Sequence, residues 1–551
     1  MIRGAFPGAI KGPRPFLPPQ GEALLSSLTL LIEEGDHQIM RRPPIPGLVM
    51  ADGWLQPYSR QIRDRQRLFD LKMKRINQRA GSLEEYARGY RYYGFNRDAE
   101  TGAWTYREWA PAARRVSLIG DFNGWNRERH PLERNERGVW EITLPPDALA
   151  HGQKVKVHVV GADGTGRDRI PAWITRTVQD PTTYDFAGEI WMPEHPYEWR
   201  NNGFDPSRVE VPFVYEAHVG MGGEEGRVHT YREFADEVLP RIARLGYNTV
   251  QLMAIQEHPY YGSFGYHVSS FFAPSSRFGE PEDLKYLIDQ AHGLGIAVLL
   301  DVVHSHAVKN EAEGIARIDG TRCAYFHEGA RGEHSAWDSL CFDYSKPEVL
   351  HFLLSNCRFY LDEYRVDGFR FDGVTSMMYL HHGLGRAFTG YADYFNDEID
   401  EDAITYLALA NRVIHEVRPD AVTVAEDVSG MPGLASSSHC GGIGFDYRMA
   451  MGVTDMWFRL FDLPDQDWDL FHLYWELTNH RRDERSISYV ECHDQAIVGG
   501  KTAIFRLADA AMYDAMHVSS ASLAVDRAVA LHKMMRLATL ASAGHGYLNF
   551  M

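Results

Sequence analysis

Arg370 and Asp372 alternate with Phe369 and Phe371 in the stretch Asp367-Gly-Phe-Arg-Phe-Asp372, a pattern that puts charge where a short strand is usually apolar. Side chains on a strand change face at every residue, so Arg370 and Asp372 share one face, about 7 Å apart along it, and the two rings share the other. A guanidinium on the carboxylate's own face favours its ionised, nucleophilic form, which covalent catalysis through a carboxylate ester requires. A lone pair of this kind is more often a structural ion pair at a strand end. Three further apolar runs change that balance, because each also ends in an acid: Asp301 after Val298-Leu-Leu300, Glu426 after Thr423-Val-Ala425, and Asp494 in Glu491-Cys-His-Asp494. His304, His306 and His493 accompany them as polar donors for hydroxyl groups.

Two chemistries fit four acidic strand ends. His304-Ser-His306 imitates the HxH of barrel metallohydrolases, with Asp494 as a further ligand. Such sites carry HxH on the first strand and need two more histidines on later strands, and the fifth strand here offers only Glu426-Asp427. The other chemistry is glycoside cleavage by paired carboxylates, one a nucleophile and one a protonated acid, set about 5 to 5.5 Å apart in a retaining mechanism. It asks for neither a metal nor an organic cofactor, and none is expected.

These acids need a scaffold that gathers strand ends. From Phe213 the sequence alternates apolar strands with amphipathic helices: Val214-Tyr-Glu-Ala-His218, a helix opened by the capping box Thr230-Tyr-Arg-Glu233, then Thr249-Val-Gln-Leu-Met253. A helix after Pro281 leads to Ile296-Ala-Val-Leu-Leu300, a long helix from Pro347 leads to Gly368 to Phe371, and Ile404 to Val417 precedes Val422-Thr-Val-Ala425. Leu-Gly recurs before strands at Leu245-Gly246 and Leu294-Gly295. Phe445 to Met451, Ser486 to Val490 and Gly546 to Met551 complete eight strands, with a helix over Asp526 to Ala541. The pattern predicts an α/β fold of the (β/α)8 TIM-barrel type over residues 205–551; no glycine-rich phosphate loop follows the first strand to favour an open nucleotide-binding sheet. Short alternating runs such as Lys154-Val-Lys-Val-His-Val159, separated by Gly, Pro and Asn turns, predict a β-sandwich over residues 91–195. An N-terminal helical segment is expected over 47–90, and a disordered leader over 1–46.

At 551 residues, with 44% hydrophobic and 12% aromatic content, the chain can fill two or three cores. A net charge of -18 repels phosphate backbones and anionic lipid, so no nucleic acid and no membrane partner is expected. Ala23 to Ile32 is too short to span a bilayer and wrongly flanked for a signal peptide. Five scattered cysteines without CxxC indicate neither a disulfide framework nor a zinc knuckle, and a cytoplasmic monomer is the expectation.

Asp301-Val-Val-His-Ser-His306, Gly368-Phe-Arg-Phe-Asp372, Val424-Ala-Glu-Asp427 and Glu491-Cys-His-Asp494 resemble the four ordered signature regions of the α-amylase superfamily. Arg107-Glu-Trp-Ala-Pro111 and the Phe122-Asn-Gly-Trp125 run resemble the starch- and glycogen-binding module ahead of the barrel in branching and debranching enzymes. Tyr215-Glu-Ala-His-Val-Gly-Met221, Ser263 to Gly279 and Phe371 to Tyr379 resemble 1,4-α-glucan branching enzymes of the eukaryotic type. The resemblance implies a transglycosidase that cuts α-1,4-glucan and forms α-1,6 branches in glycogen or starch by a retaining route, with α-glucan chains as donor and acceptor. The alternatives are an amylase-like hydrolase and a silent glucan-binding protein. Asp372 would be the nucleophile, Glu426 the general acid/base and Asp494 the carboxylate that holds sugar hydroxyls. Arg370, His306 and His493 would line the subsite at the cut bond, Asp301 would support it, and Tyr266 would stack on the sugar. Trp109 and Trp125 would contact glycan on the sandwich. The aromatic residues Tyr260, Tyr261, Phe264, Tyr266, Phe271 and Phe272 of the barrel loops read, independently of the resemblance, either as rings that stack on a glucan chain or as loop packing. The resembled family continues past the eighth strand into a last helix and a C-terminal β-domain, so a truncated chain with apolar surface left wet is also expected.

Overall fold

The structure is a computed structural model that describes residues 45–551 apart from 499 and 543. The leader expected over residues 1–46 lies, except for its last two residues, outside them. Eight parallel strands close into a barrel: β1 (Phe213–Ala217), β2 (Thr249–Leu252), β3 (Ala297–Val302), β4 (Gly368–Phe371), β5 (Val422–Ala425), β6 (Tyr447–Met449), β7 (Ser486–Tyr489) and β8 (Tyr547–Phe550), with β8 pairing back onto β1. Both faces of each strand are covered, which is why these runs read as nearly continuous apolar stretches. Val214, Leu299, Val424, Tyr447, Ile487, Tyr489 and Leu548 form one buried cluster contributed by six of the strands.

The recurrent Leu-Gly has a physical cause. Gly246 and Gly295 adopt φ of +86° and +75° just past the helices that end at Arg244 and Gly293, a left-handed turn that glycine enters without a Cβ clash. Leu245 and Leu294 stand at the caps themselves and are exposed. The helix after β1 opens with the Thr230–Glu233 capping box but runs as α (Tyr231–Glu233), π (Phe234–Val238) and α again (Leu239–Arg244), because Pro240 has no N–H to continue the regular ladder.

Ahead of the barrel, two antiparallel sheets face each other. One contains Gly94–Arg97, Trp104–Trp109, Val139–Leu144 and Glu133–Arg134; the other is built around Arg115–Gly120 and Lys154–Val160. Val155, Val157 and Val159 are buried while Lys154, Lys156 and His158 between them are half-buried, the alternation of a strand with one covered face. The helix Ser59–Ala80 lies on the barrel helix Glu401–Val417, where Arg65 Nε donates to Glu401 Oε2 at 2.9 Å.

Sandwich and barrel share a polar seam. Arg169, 1% exposed, donates to the carbonyls of Gly314 and Ala316 at 2.6 Å and of Arg317 at 2.9 Å, all in a barrel loop. Thr177 Oγ1 donates to buried Glu257 at 2.8 Å, and Trp173 stacks on Phe272 with centroids 4.7 Å apart.

Candidate active site

Strand register assembles the site. Asp301 and Arg370 are partners across the β3–β4 ladder, so their inward side chains are adjacent. Arg370 Nη1 donates to Asp301 Oδ1 and to Asp372 Oδ1, each at 2.8 Å, while Nη2 faces Glu426 Oε2 at 3.1 Å. One guanidinium therefore touches the acids at the ends of three neighbouring strands. Exposure rises outward from it: the side chains of Arg370 and Asp301 are at 0%, Asp372 at 12%, Glu426 at 15% and Asp494 at 37%. The first two form a buried base and the other three remain open to a ligand.

Glu426 continues the barrel ladder through its backbone, its N–H donating to Phe371 O at 3.1 Å and its carbonyl accepting from Val374 N at 3.0 Å. Its Oε2 accepts from the Gly373 N–H at 2.6 Å. Burial pushes the Glu426 carboxyl up to about 8; Arg370 opposes this, and the Asp372 and Asp494 carboxylates reinforce it. Glu426 thus carries a proton at neutral pH, the state a general acid requires. Burial also raises Asp301, to about 6, against the pull of Arg370.

On the β7 side, His493 is held by Glu216 of β1. Its backbone N–H donates to Glu216 Oε2 at 3.0 Å, its Nδ1 lies 2.8 Å from Oε1, and its Nε2 lies 3.4 Å from Asp494 Oδ1. Burial lowers its basicity, but Asp494 and Glu216 outweigh that and push it up to about 10, so the ring is a cation beside the acids. Gln251 Nε2 also donates to Glu216 at 3.2 Å. Glu216, Cys492 and His493 form the one group with metal-like spacing among the described residues. A charged imidazole and a buried thiol whose pKa is raised well above the ordinary value suit an ion pair better than a metal.

Tyr266 donates to Asp301 Oδ2 at 2.7 Å and stacks on His493 with centroids 4.8 Å apart; its hydroxyl is used inside the cluster. His306 is buried, its Nε2 2.8 Å from Tyr266 O and its ring 5.1 Å from that of Trp337. His304 lies between Tyr406 at 2.6 Å and Asn356 at 2.9 Å, a satisfied core histidine rather than half of an HxH pair. Phe271 and Phe272 are fully buried in the strand Ser270–Pro274, which corrects the stacking reading of these two; Tyr260 is 67% exposed. Trp109 is 7% exposed and makes a T-shaped pair with Tyr325 at 5.1 Å, so its burial corrects the expected open glycan platform there. Trp125 is 38% exposed, its Nε1 donating to Asp121 at 3.0 Å.

Sequence reasoning gave no role to Glu216 or Trp337. An acid inside an apolar parallel strand was the available signal for the first. Trp337 left none, since it sits in the turn between the short strands Glu333–His334 and Ser339–Cys341, within the long connection from β3 to the helix from Pro347. It is 38% exposed, stacked on His334 at 4.0 Å, and a Cβ placed on Gly373 would lie 3.0 Å from its ring, one residue from Asp372.

Two family descriptions match the chain: "Carbohydrate-binding module 48 (Isoamylase N-terminal domain)" over residues 92–174 and "Alpha amylase, catalytic domain" over residues 236–329. The chain is 50% identical over 513 residues to a 1,4-alpha-glucan-branching enzyme of Rhizophagus irregularis, covering 92% of this chain and 75% of that protein. It is 51% identical over 518 residues to a 1,4-alpha-glucan-branching enzyme of Solanum tuberosum, covering 92% of this chain and 60% of that one. Among solved structures it is similar to the catalytic module of the glycogen-degrading pneumococcal virulence factor SpuA, with a TM-score of 0.60, 16% identity, and coverage of 85% and 71% of the two chains; at that identity the likeness is one of fold.

Proposed function

The chain belongs to the family of 1,4-alpha-glucan-branching enzymes, and from that premise we propose that it cuts α-1,4-glucan and rejoins the released segment to a 6-hydroxyl as an α-1,6 branch. The observation that carries the reading is the pairing across Arg370: an acid that keeps its proton, Glu426, and a second carboxylate, Asp372, on the same guanidinium.

Glu426 gives its proton to the oxygen of the α-1,4 bond as Asp372 attacks the anomeric carbon; the C1–O4 bond breaks and an ester to Asp372 forms. The 6-hydroxyl of the acceptor then attacks the same carbon, its proton passes to Glu426, and the ester breaks. Two inversions retain the α configuration. Asp494, the most open of the acids, holds sugar hydroxyls, with cationic His493 fixing its position at 3.4 Å. Arg370 and Asp301 keep the acids in register, Tyr266 and His306 wall the subsite, and Trp337 offers an indole face beside Asp372.

Residues 91–195 serve as a glycan-contacting module with Trp125 as the open ring, and 205–551 as the catalytic unit. The reading further takes the chain as a monomer acting on glycogen-type glucan in a reducing, cytoplasmic compartment. Supporting the compartment, the five cysteines are unpaired, and burial raises the Cys341 and Cys357 thiols to about 12. Among the described residues no helix is long and apolar enough to cross a membrane.

Purified chain incubated with linear amylose should lower iodine staining while isoamylase-sensitive α-1,6 linkages accumulate. New reducing ends without such linkages would identify a hydrolase instead, and retention on glycogen with neither product would identify a silent binder.

A further inference from the structure

The residue after Glu426 begins a second, separate charge system. Asp427, whose side chain is at 0% exposure, accepts from Arg448 Nη2 at 2.5 Å, Thr375 Oγ1 at 2.6 Å, Ser429 Oγ at 2.6 Å and the N–H groups of Ser429 and Gly430 at 3.0 Å. Arg448 on β6 turns its Nη1 to Glu484 Oε2 at 3.0 Å. Glu484, also buried, accepts from the N–H groups of Gly433 at 2.7 Å and Ala435 at 3.1 Å and pairs with Arg481 Nε at 3.0 Å. Arg481 Nη2 reaches Asp52 Oδ2 at 2.9 Å, which Tyr391 also holds at 2.6 Å. Five charges of alternating sign thus run from beside Glu426 to the N-terminal helical segment.

The segment this system grips leaves the barrel ladder after Glu426 and is otherwise held by turns, side-chain bonds and the buried Met431 and Leu434. Residues 426–435 form no helix or strand, and Gly430 and Gly433 turn through φ of +78° and +81°. Asp427 ties its start to Thr375, in the short helix Val374–Met378 that follows Asp372, and Val428 N returns a bond to the same Thr375 Oγ1 at 2.9 Å. The chain that carries Glu426 is therefore braced from behind by side chains that are themselves buried, Asp427, Thr375 and Arg448. Displacing a reacting group by about 1 Å costs on the order of 100-fold in rate.

We propose that Asp427 and Arg448 are positioning residues that aim the Glu426 carboxyl at the glycosidic oxygen, and that the relay through Glu484 and Arg481 makes this aim depend on Asp52. The proposal rests on Glu426 being the acid/base, so the test separates the two. Asp427→Asn, Arg448→Lys, Asp52→Asn and the control Glu426→Gln are assayed on amylose, whose sugar leaving group needs a proton, and by pre-steady-state fluoride release from α-maltosyl fluoride, whose leaving group does not. Asp427→Asn should lose about 100-fold in kcat on amylose with KM little changed while keeping near-parental fluoride release. Arg448→Lys should follow it, since one ammonium cannot span Asp427 and Glu484, and Asp52→Asn should show the same selective loss at a few-fold. If Glu426→Gln itself shows no selective loss on amylose, the acid/base assignment fails and the positioning proposal with it. If Glu426→Gln is selective but Asp427→Asn and Arg448→Lys lose both donors equally, or lose only melting temperature, or fail to fold, the pair is structural and the positioning proposal alone is overturned.

Discussion

Asp367 and Asp372 flank the same strand, β4, and make opposite use of the same side chain. Asp367, at its N-terminal end, has 1% of its side chain exposed and is engaged on both oxygens: it accepts from Arg418 Nη2 at 2.6 Å and the Val298 N–H at 2.7 Å, with His292 Nε2 at 2.8 Å. Asp372, at the C-terminal end, has one guanidinium partner and an edge open to the cleft. A buried carboxylate with both oxygens engaged holds a barrel together. One held from a single side remains free to meet a carbon atom.

The largest expected effect tests that contrast directly. Asp372→Asn should cost about 10⁴-fold or more in kcat on amylose, the scale of removing a covalent nucleophile, while circular dichroism and melting stay close to the parent's. Glu426→Gln should cost about 10²- to 10⁴-fold. The parent's kcat/KM should fall as pH rises through about 8, where Glu426 gives up its proton, and this limb should vanish in the variant. The same shift has a stability sign. A folded pKa above the ordinary 4.5 means that the stability the proton contributes is present below 4.5 and lost between 4.5 and 8. Glu426→Gln, a mimic of the protonated form, should therefore melt above the parent at pH 8 and level with it at pH 4. Asp367→Asn reverses the pattern of Asp372: about 3–5 kcal/mol of stability should be lost in a urea titration, the cost of breaking a buried pair, with kcat per folded molecule intact. A fall in kcat there at unchanged stability would break the contrast. The smallest effect belongs to Trp337→Ala, which should raise KM for amylose by about tenfold, roughly one stacking contact, without altering the pH profile.

Much of this architecture was legible in the sequence because parallel strands and their acids obey separate rules. Buried strands must be apolar throughout, so an acid at the end of such a run stands out, and Asp301, Asp372 and Glu426 do meet at one guanidinium. The β4 and β5 limits read from sequence agree with the structure, since Asp367 and Asp372, and Ala421 and Glu426, bracket them. The sixth strand proved shorter, Tyr447–Met449 against an expected Phe445 to Met451: the Asp446 carboxylate turns to Thr423 and His415, and Met451 already opens a helix. What the sequence hid was pairing at a distance. Glu216 and His493 are 277 positions apart, and nothing local to either implies the other. Burial of aromatic rings was equally invisible: Phe271 and Tyr260 differ in chemistry by little, yet Phe342 and Phe352 cover the first and solvent meets the second.

Arg169 bears on what could be done with the sandwich by itself. Cut loose as an affinity tag or a fusion partner, it would expose an arginine whose hydrogen-bond acceptors, the carbonyls of Gly314, Ala316 and Arg317, stayed behind with the barrel, together with the bare face of Trp173 that Phe272 had shielded. The module is spliced to its neighbour rather than hung from it, and anyone transplanting it should carry residues 314–317 along or redesign that surface first.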